Sequence, residues 1–427
     1  VDDKFAQRFG GALLLSVLGD ATSYMLARAT DARHGVNVNL TAAGTMNSLA
    51  ASALNNTINI PPTLYKNHGD QIGILVARPL DFSILRGRMN DAAPDRQASV
   101  DFHLQALHPW LSRQDIAEIC VNRPGQLWYE DRNGWNRQES GALTLDHLHA
   151  LATATARFCD RDICPERPLL AASLPGGERV QIVVPPACEP GTLSLTIRKP
   201  ARRIWPLSEL LRDTLDLPGV PGASQARPDP LLDPWRRGAW DDFLRLAVQA
   251  GKAILVAGQT GSGKTTLMNA LSGEIPPRER IVTIEDVREL RLDPATNHVH
   301  LLYGTPTEGR TAAVSATELL RAALRMAPTR ILLAELRGGE AFDFLQACAS
   351  GHSGGISTCH AASADMALQR LTLMCMQHPN CQMLPYSTLR ALVESVIDIV
   401  VVVERRAGQG ARRRVVDIWY RDGLPAP

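Results

Sequence analysis

The chain has 427 residues, 45% of them apolar and 21% charged. That apolar share can fill real cores, so a wholly disordered chain is excluded, and the length points to two to four domains. Lys plus Arg is 45 against 44 Asp plus Glu, and a net of +1 excludes a global basic field that gathers nucleic acid or an acidic membrane surface. A local basic patch is compatible with that balance.

The eight cysteines include no CxxC pair, so the expectation is reduced cytosolic thiols rather than a disulfide framework or a zinc ribbon. No uninterrupted apolar run of about 18 residues occurs. The stretch Gly10 to Leu18 is short, is followed by Asp20, and lacks the basic start and cleavage pattern of a signal peptide. A soluble, unexported chain is expected.

A seam falls at Met89. Residues 1–88 hold no Glu, Cys or Trp, and all 17 Glu, 8 Cys and 7 Trp follow. The first 88 residues carry 8 basic and 6 acidic groups, a net of +2, and the remaining 339 carry 37 and 38, a net of −1. Met89-Asn90-Asp91-Ala92-Ala93-Pro94 reads as a fresh polar N-terminus, with an ordinary interdomain linker as the other reading. Before the seam, Gly10-Gly11 opens a short helix. Gly69 to Asp81 alternates as a strand with Ile72, Ile74 and Val76 on one face.

Residues 89–198 read as a small α/β domain. Ile116 to Gly125 is a helix end or strand running into a turn, and Gln126 to Glu130 is a strand. Leu145, Leu148, Leu151 and Ala152 sit at helical spacing, and 178–184 and 193–198 read as strands. Seven prolines then fall within 199–238, a density that blocks continuous helix or central strand. That stretch is expected to be a connector with one short helix near Leu207 to Asp213, leaving 239–427 as the second large domain.

The sharpest signal follows. Gly258-Gln259-Thr260-Gly261-Ser262-Gly263-Lys264-Thr265 fits GxxxxGK[ST], with an apolar strand, Ala253 to Ala257, before it and an apolar-periodic helix from Thr266 after it. Glycines let backbone N–H groups converge on phosphate oxygens, and a helix N-terminus adds partial positive charge. Lys264 can reach β- and γ-phosphates, and the Thr265 hydroxyl can ligate Mg²⁺.

Two strands end in carboxylates. Arg280 to Asp286 places Glu285 at a strand end for Mg²⁺ or water, supported by Asp286 and Glu289. Arg330 to Ala334 leads into Glu335, positioned to orient Mg²⁺ and the attacking water. Arg337 can stabilise phosphoryl charge or simply pair with a carboxylate. Gly351 to Ala361 is a glycine-rich turn flanked by His352 and His360, which fits nucleotide sensing better than zinc binding. Val396 to Val403 reads as a buried strand.

These clusters, in this order, resemble the hexameric secretion-ATPase family of type IV secretion systems. "GQTGSGKTT" resembles its Walker A, "TIEDVREL" its Asp box, "ILLAELRGGEAFDFLQA" its Walker B and "GHSGGISTCHA" its His box. "IAEICVNRPGQLWYE" and "LTIRKP" resemble its N-terminal domain. Within that family the resemblance extends to the toxin-exporting member, that of the pertussis toxin liberation system. Residues 4–85, through "RFGGALLLS", "INIPPTLYKN" and "VARPLDFS", resemble the tail of a TrbI-like channel scaffold with a periplasmic β-barrel.

The resemblance implies a RecA-like P-loop domain behind a smaller α/β domain, preceded by a scaffold fragment. It implies a Mg-dependent ATPase hexamer on the cytoplasmic side of the inner membrane, working with inner-membrane components and an exported protein substrate. Gly258, Gln259, Thr260, Gly261, Ser262, Gly263, Lys264, Thr265 and Thr266 would bind ATP, joined by Arg198 of "TIRKP". Glu335, Glu285, His360 and Arg337 would serve catalysis, and Thr265 and Glu285 the metal, with Arg321 and Arg325 as weaker candidates. Thr329 and Ala334 stand where many relatives carry Asp and Gly, which puts the metal shell in question. Missing CxxC pairs separate the chain from the zinc-bearing type II ATPases. Two alternatives are a channel-scaffold subunit working through residues 1–88 and a DNA-handling ATPase, which the near-neutral charge weakens. A periplasmic tail and an ATP motor need different compartments. The expectation is therefore an enzyme beginning at Met89, joined to a neighbouring scaffold's end by gene fusion or by an error in gene calling.

Overall fold

A computed structural model describes residues 96–200, 229–304, 314–406 and 412–423. The expectations for residues 1–88, including the barrel fragment, and for a helix near Leu207 lie outside the described residues.

Residues 96–198 build one antiparallel sheet backed by helices. Helix α1 (Arg96–Leu104) and the short α2 (His108–Leu111) precede strands β1 (Glu118–Val121), β2 (Gln126–Asp131) and β3 (Gly134–Glu139). Helix α3 (Leu145–Phe158) and strands β4 (Leu169–Ser173), β5 (Arg179–Val183) and β6 (Ser194–Arg198) follow. The strand order is β3-β2-β1-β6-β5-β4. The Thr144 hydroxyl caps α3 by accepting from the His147 N–H at 3.2 Å, and Leu148, Leu151, Ala152 and Ala156 form its buried stripe. These pack with Ile119, Val121, Leu195 and Ile197 into one core.

The second sheet is mostly parallel. After α4 (Leu232–Arg237) and α5 (Trp240–Gln249) come β7 (Ile254–Gly258), α6 (Lys264–Ser272), β8 (Ile281–Glu285) and β9 (His298–Leu302). Then follow α7 (Ala316–Ala323), β10 (Arg330–Leu333), α8 (Glu340–Ala349), β11 (Ile356–Cys359), α9 (Ala364–Cys375), α10 (Tyr386–Val396), β12 (Ile399–Arg406) and β13 (Arg412–Tyr420). The order is β13-β12-β7-β11-β10-β8-β9. Every neighbouring pair is parallel except β12 with β13. Helices cover both faces, so interior strands such as Ile254-Leu255-Val256-Ala257 are apolar throughout rather than alternating. This is the expected RecA-like arrangement, with the phosphate loop leaving an interior strand.

Two expectations change here. The connector was expected to reach residue 238, yet α4 is helical and packed. Pro234 sits in its first turn, where no N–H is required of it. Trp235 packs at an angle against Phe243 and Tyr420, at 5.2 and 5.5 Å between ring centroids, so these residues belong to the second domain's core. The strand expected from Val396 begins at Ile399, because α10 runs through Val396.

One buried cation joins the two sheets. Arg280, just before β8, is 0% exposed. Its Nε donates to the Met326 carbonyl at 2.7 Å, and Nη1 donates to Asn122 Oδ1 at 2.9 Å and Asn297 Oδ1 at 2.5 Å. Nη2 donates to Thr196 Oγ1 at 3.2 Å. Asn122 and Thr196 belong to the first sheet's domain, and Met326 and Asn297 to the second. Nearby, Asn122 Nδ2 donates to Asn297 Oδ1 at 2.8 Å, and the Leu302 N–H donates to the Ala187 carbonyl at 2.9 Å.

Arg280→Met therefore leaves several buried acceptors without a donor. The expected cost is about 3 kcal/mol or more, read as a lower urea midpoint. Arg280→Lys does not restore it, because an ammonium cannot fork to acceptors on both sheets.

Candidate functional site

The parallel sheet brings the C-terminal ends of β7, β11, β10 and β8 to one edge, where open α/β sheets bind ligands. The phosphate loop leaves β7 there. Gly263 caps α6 at φ +103°, a left-handed conformation that a side chain resists. Gly258 admits no Cβ for another reason. A Cβ there would collide with both Ser262 Oγ and the Val403 carbonyl. Ser262 Oγ is buried and has no hydrogen-bond partner among the described residues.

Lys264 is fixed over this loop. Its Nζ donates to the Gly258 and Gln259 carbonyls at 3.1 and 3.2 Å and lies 3.4 Å from His360 Nδ1. Burial lowers its pKa, while the charge of Glu335 and the Cys359 thiol pull it back up. Thr265 is half-buried at the start of α6, and Thr266 is exposed beside it.

From His360 a line of alternating groups runs along the sheet edge. His360 Nε2 is 2.6 Å from Glu335 Oε1, though out of hydrogen-bond alignment. Glu335 Oε2 accepts from Arg337 Nη2 at 2.6 Å and Nε at 2.8 Å. Arg337 Nη1 reaches Asp286 Oδ2 at 2.7 Å. Its hydrogen bond to Glu335 raises its pKa, so it stays charged. Each residue follows a strand end: Asp286 after β8, Glu335 after β10, His360 after β11. Arg337 here makes the carboxylate pair, to two acids at once.

Glu285 departs from its expected duty as a metal or water residue. It is 0% exposed and both oxygens are taken. Oε1 accepts from Thr283 Oγ1 at 2.9 Å and lies 3.3 Å from His300 Nδ1, and Oε2 accepts from the Glu289 and Leu290 N–H groups at 2.8 Å each. It holds the turn after β8 and leaves the site to Asp286. Sequence spacing singled out the carboxylate pair but not which member points inward.

Other placements differ as well. Arg198 does not meet the loop. Its Nε lies 3.3 Å from Glu118 Oε1, and it lines a cavity of about 580 Å³ with Arg161, Arg179 and Arg325 that includes no phosphate-loop residue. Burial pushes the Glu118 carboxyl up to about 7. Arg321 lies 3.7 Å from Asp343 instead. His352 Nδ1 faces the Pro328 carbonyl at 2.8 Å, at the opposite end of β10 from Glu335. Thr329 sits at that same far end, where its hydroxyl accepts from the Arg280 N–H at 3.2 Å. The substitution at 329 therefore leaves the carboxylate edge untouched. The free cysteines are mostly buried; burial pushes the thiol of Cys359, beside Lys264, up to about 12.

The Glu285 environment makes a stability prediction. Burial alone raises its pKa, but His300, the two backbone N–H groups and Thr283 outweigh that and lower it. A depressed carboxyl contributes stability above its unfolded pKa and loses it as pH falls through the folded value. Glu285→Gln is thus expected to lower the melting temperature at pH 7. Circular dichroism melts at stepped pH should show that gap narrowing only below about pH 4.

Residues 236–412 match the family of type II/IV secretion system proteins, and residues 1–82 match the bacterial conjugation TrbI-like proteins. The type IV secretion system protein VirB11 of Brucella suis is 48% identical over 334 residues, 78% of this chain and 92% of that protein. The protein of the same name from Bartonella quintana is 39% identical, covering 74% of this chain and 91% of its own. The crystal structure of the VirB11 ATPase from the Brucella suis type IV secretion system, in complex with sulphate, matches with a TM-score of 0.72. That match is 47% identical and covers 78% of this chain and 97% of the other. Identity at this level across nearly the whole of those proteins establishes kinship: the chain belongs to the VirB11 family of type IV secretion system proteins.

Proposed function

We propose that the protein is an ATP-hydrolysing motor that energises a type IV secretion system. The observation that carries this reading is the line Lys264–His360–Glu335–Arg337–Asp286 beside a phosphate loop. Loop N–H groups and the N-terminus of α6 bind the β-phosphate, and Lys264 reaches the β- and γ-phosphates. Arg337 holds Glu335 by Oε2, which leaves Oε1 to orient the attacking water and accept its proton. His360, between Lys264 and Glu335, senses whether a γ-phosphate is present.

The residues suit a magnesium ion. The Thr265 hydroxyl lies in the first turn of α6 beside the loop, and Glu335 Oε1 makes no aligned hydrogen bond among the described residues. Thr265 would hold the ion directly and Glu335 through water, whereas Glu285 is fully committed elsewhere. A bound ion would supply positive charge to offset the negative charge of the phosphates.

The finer reading is a homohexamer at the cytoplasmic face of the inner membrane, partnered by inner-membrane components and serving protein export, with toxin as the cargo class. The family membership supports an assembly of this kind, and the near-neutral charge weakens the DNA-handling alternative. Among the described residues, no helix is long and apolar enough to cross a membrane. Two families match separate stretches, 1–82 and 236–412, which supports a scaffold fragment fused ahead of the motor. Intact mass of the protein from its native cells tests that point. A 427-residue species would make the fusion real, and a species starting at Met89 would remove it.

Glu335→Gln is expected to lower kcat by about 10²–10⁴-fold while ATP still binds. Lys264→Ala is expected to abolish both binding and turnover, and normal turnover in that variant would overturn the motor reading. Six-fold rings with an ATP analogue in negative-stain images are the expected assembly. DNA-stimulated turnover would favour the alternative.

A further inference from the structure

The phosphate loop has two unlike flanks. Strand β7 lies between β11 and β12. On the β11 side stand His360 and Glu335, the groups placed for the γ-phosphate. On the other side, β12 runs parallel to β7 with Val403 beside Gly258, then continues past it through Glu404, Arg405 and Arg406. Strand β13 returns from Arg412, and Arg405 pairs directly across from Arg413.

Both arginines face the loop. Arg413 Nη1 donates to Thr266 Oγ1 at 3.2 Å, and a Cβ added to Gly263 would meet Arg413 Cδ at 2.7 Å. A Cβ on Gly261 would lie 4.0 Å from Arg405 Nη1. Neither arginine forms an ion pair with a carboxylate among the described residues, and both are exposed. Like charges directly opposite on paired strands cost stability. Two unneutralised guanidiniums held together over a phosphate loop are the arrangement an anion would compensate.

The direction of the nucleotide says which anion. With the γ-phosphate toward Lys264, His360 and Glu335, the chain of phosphates crosses the loop toward β12 and β13. The α-phosphate and nucleoside then lie on the arginine side. We propose that Arg413, assisted by Arg405, clamps the α-phosphate end of the nucleotide and holds ATP and ADP equally. This rests on the phosphate-loop reading above. The contact is remote from the bond that breaks, so it contributes uniform binding: it sets KM and the retention of ADP, not the chemical step.

The test uses the full chain. Arg413→Ala is expected to weaken ADP binding, by isothermal titration, by about tenfold, with a matching rise in KM for ATP and kcat within about twofold. Arg413→Lys should fall between, keeping the charge but losing the fork. In the absence of nucleotide, Arg405→Ala/Arg413→Ala should melt no lower than the parent, because a repulsion is removed. That readout separates a binding role from a structural one. Unchanged ADP affinity in the double variant overturns the proposal. So does a loss confined to ATP, which would place the arginines at the γ-phosphate. Lys264→Ala is titrated in parallel; if it binds ADP normally, the phosphate-loop reading fails instead.

Discussion

The molecule depends on a guanidinium that never meets water. Arg280 is fully buried and is met by neutral acceptors: three side-chain oxygens and one carbonyl. A buried charge is tolerable only when its donors are answered, and these answers come from both sheets at once. The antiparallel domain and the parallel domain are therefore joined by satisfied polarity as well as by apolar packing. Arg280 also opens β8, so the junction lies on the strand that leads to Glu285 and Asp286.

That strand divides labour between adjacent carboxylates. Glu285 points into the protein and fastens the turn, and Asp286 points to the edge and meets Arg337. One acid builds the shape that presents the other. The same pattern recurs at β10, where Arg330 anchors one end against Glu279 and Glu335 emerges at the other.

Much of this was legible in the sequence. The phosphate loop, its strand and helix, and the carboxylate and histidine ends of β10 and β11 follow from local patterns, because each is set by chain geometry within a few residues. What was hidden depends on distant partners. Glu285 could not be told from Asp286, since strands covered on both faces give no alternation to read. Thr329 and His352 looked close to the site along the chain, yet they lie at the far end of β10. Helix α4 was hidden by Pro234 and the prolines before it, although a proline in a first turn is harmless and Trp235 finds an aromatic core. Arg198 pairs with Glu118, and Arg405 and Arg413 meet the loop only because β12 settles beside β7.

The contact between Lys264 and His360 has a chemical consequence of its own. An ammonium carries only donors, so the ring nitrogen facing it, Nδ1, is the unprotonated one. The imidazole's single proton then sits on Nε2, toward Glu335. The ring is held in one tautomer, polarised from the lysine to the carboxylate. Should Lys264 turn to a phosphate, Nδ1 is released and the tautomer is free to exchange. On the proposed reading of the site, a phosphate that draws Lys264 away would thereby change the position of one proton beside Glu335.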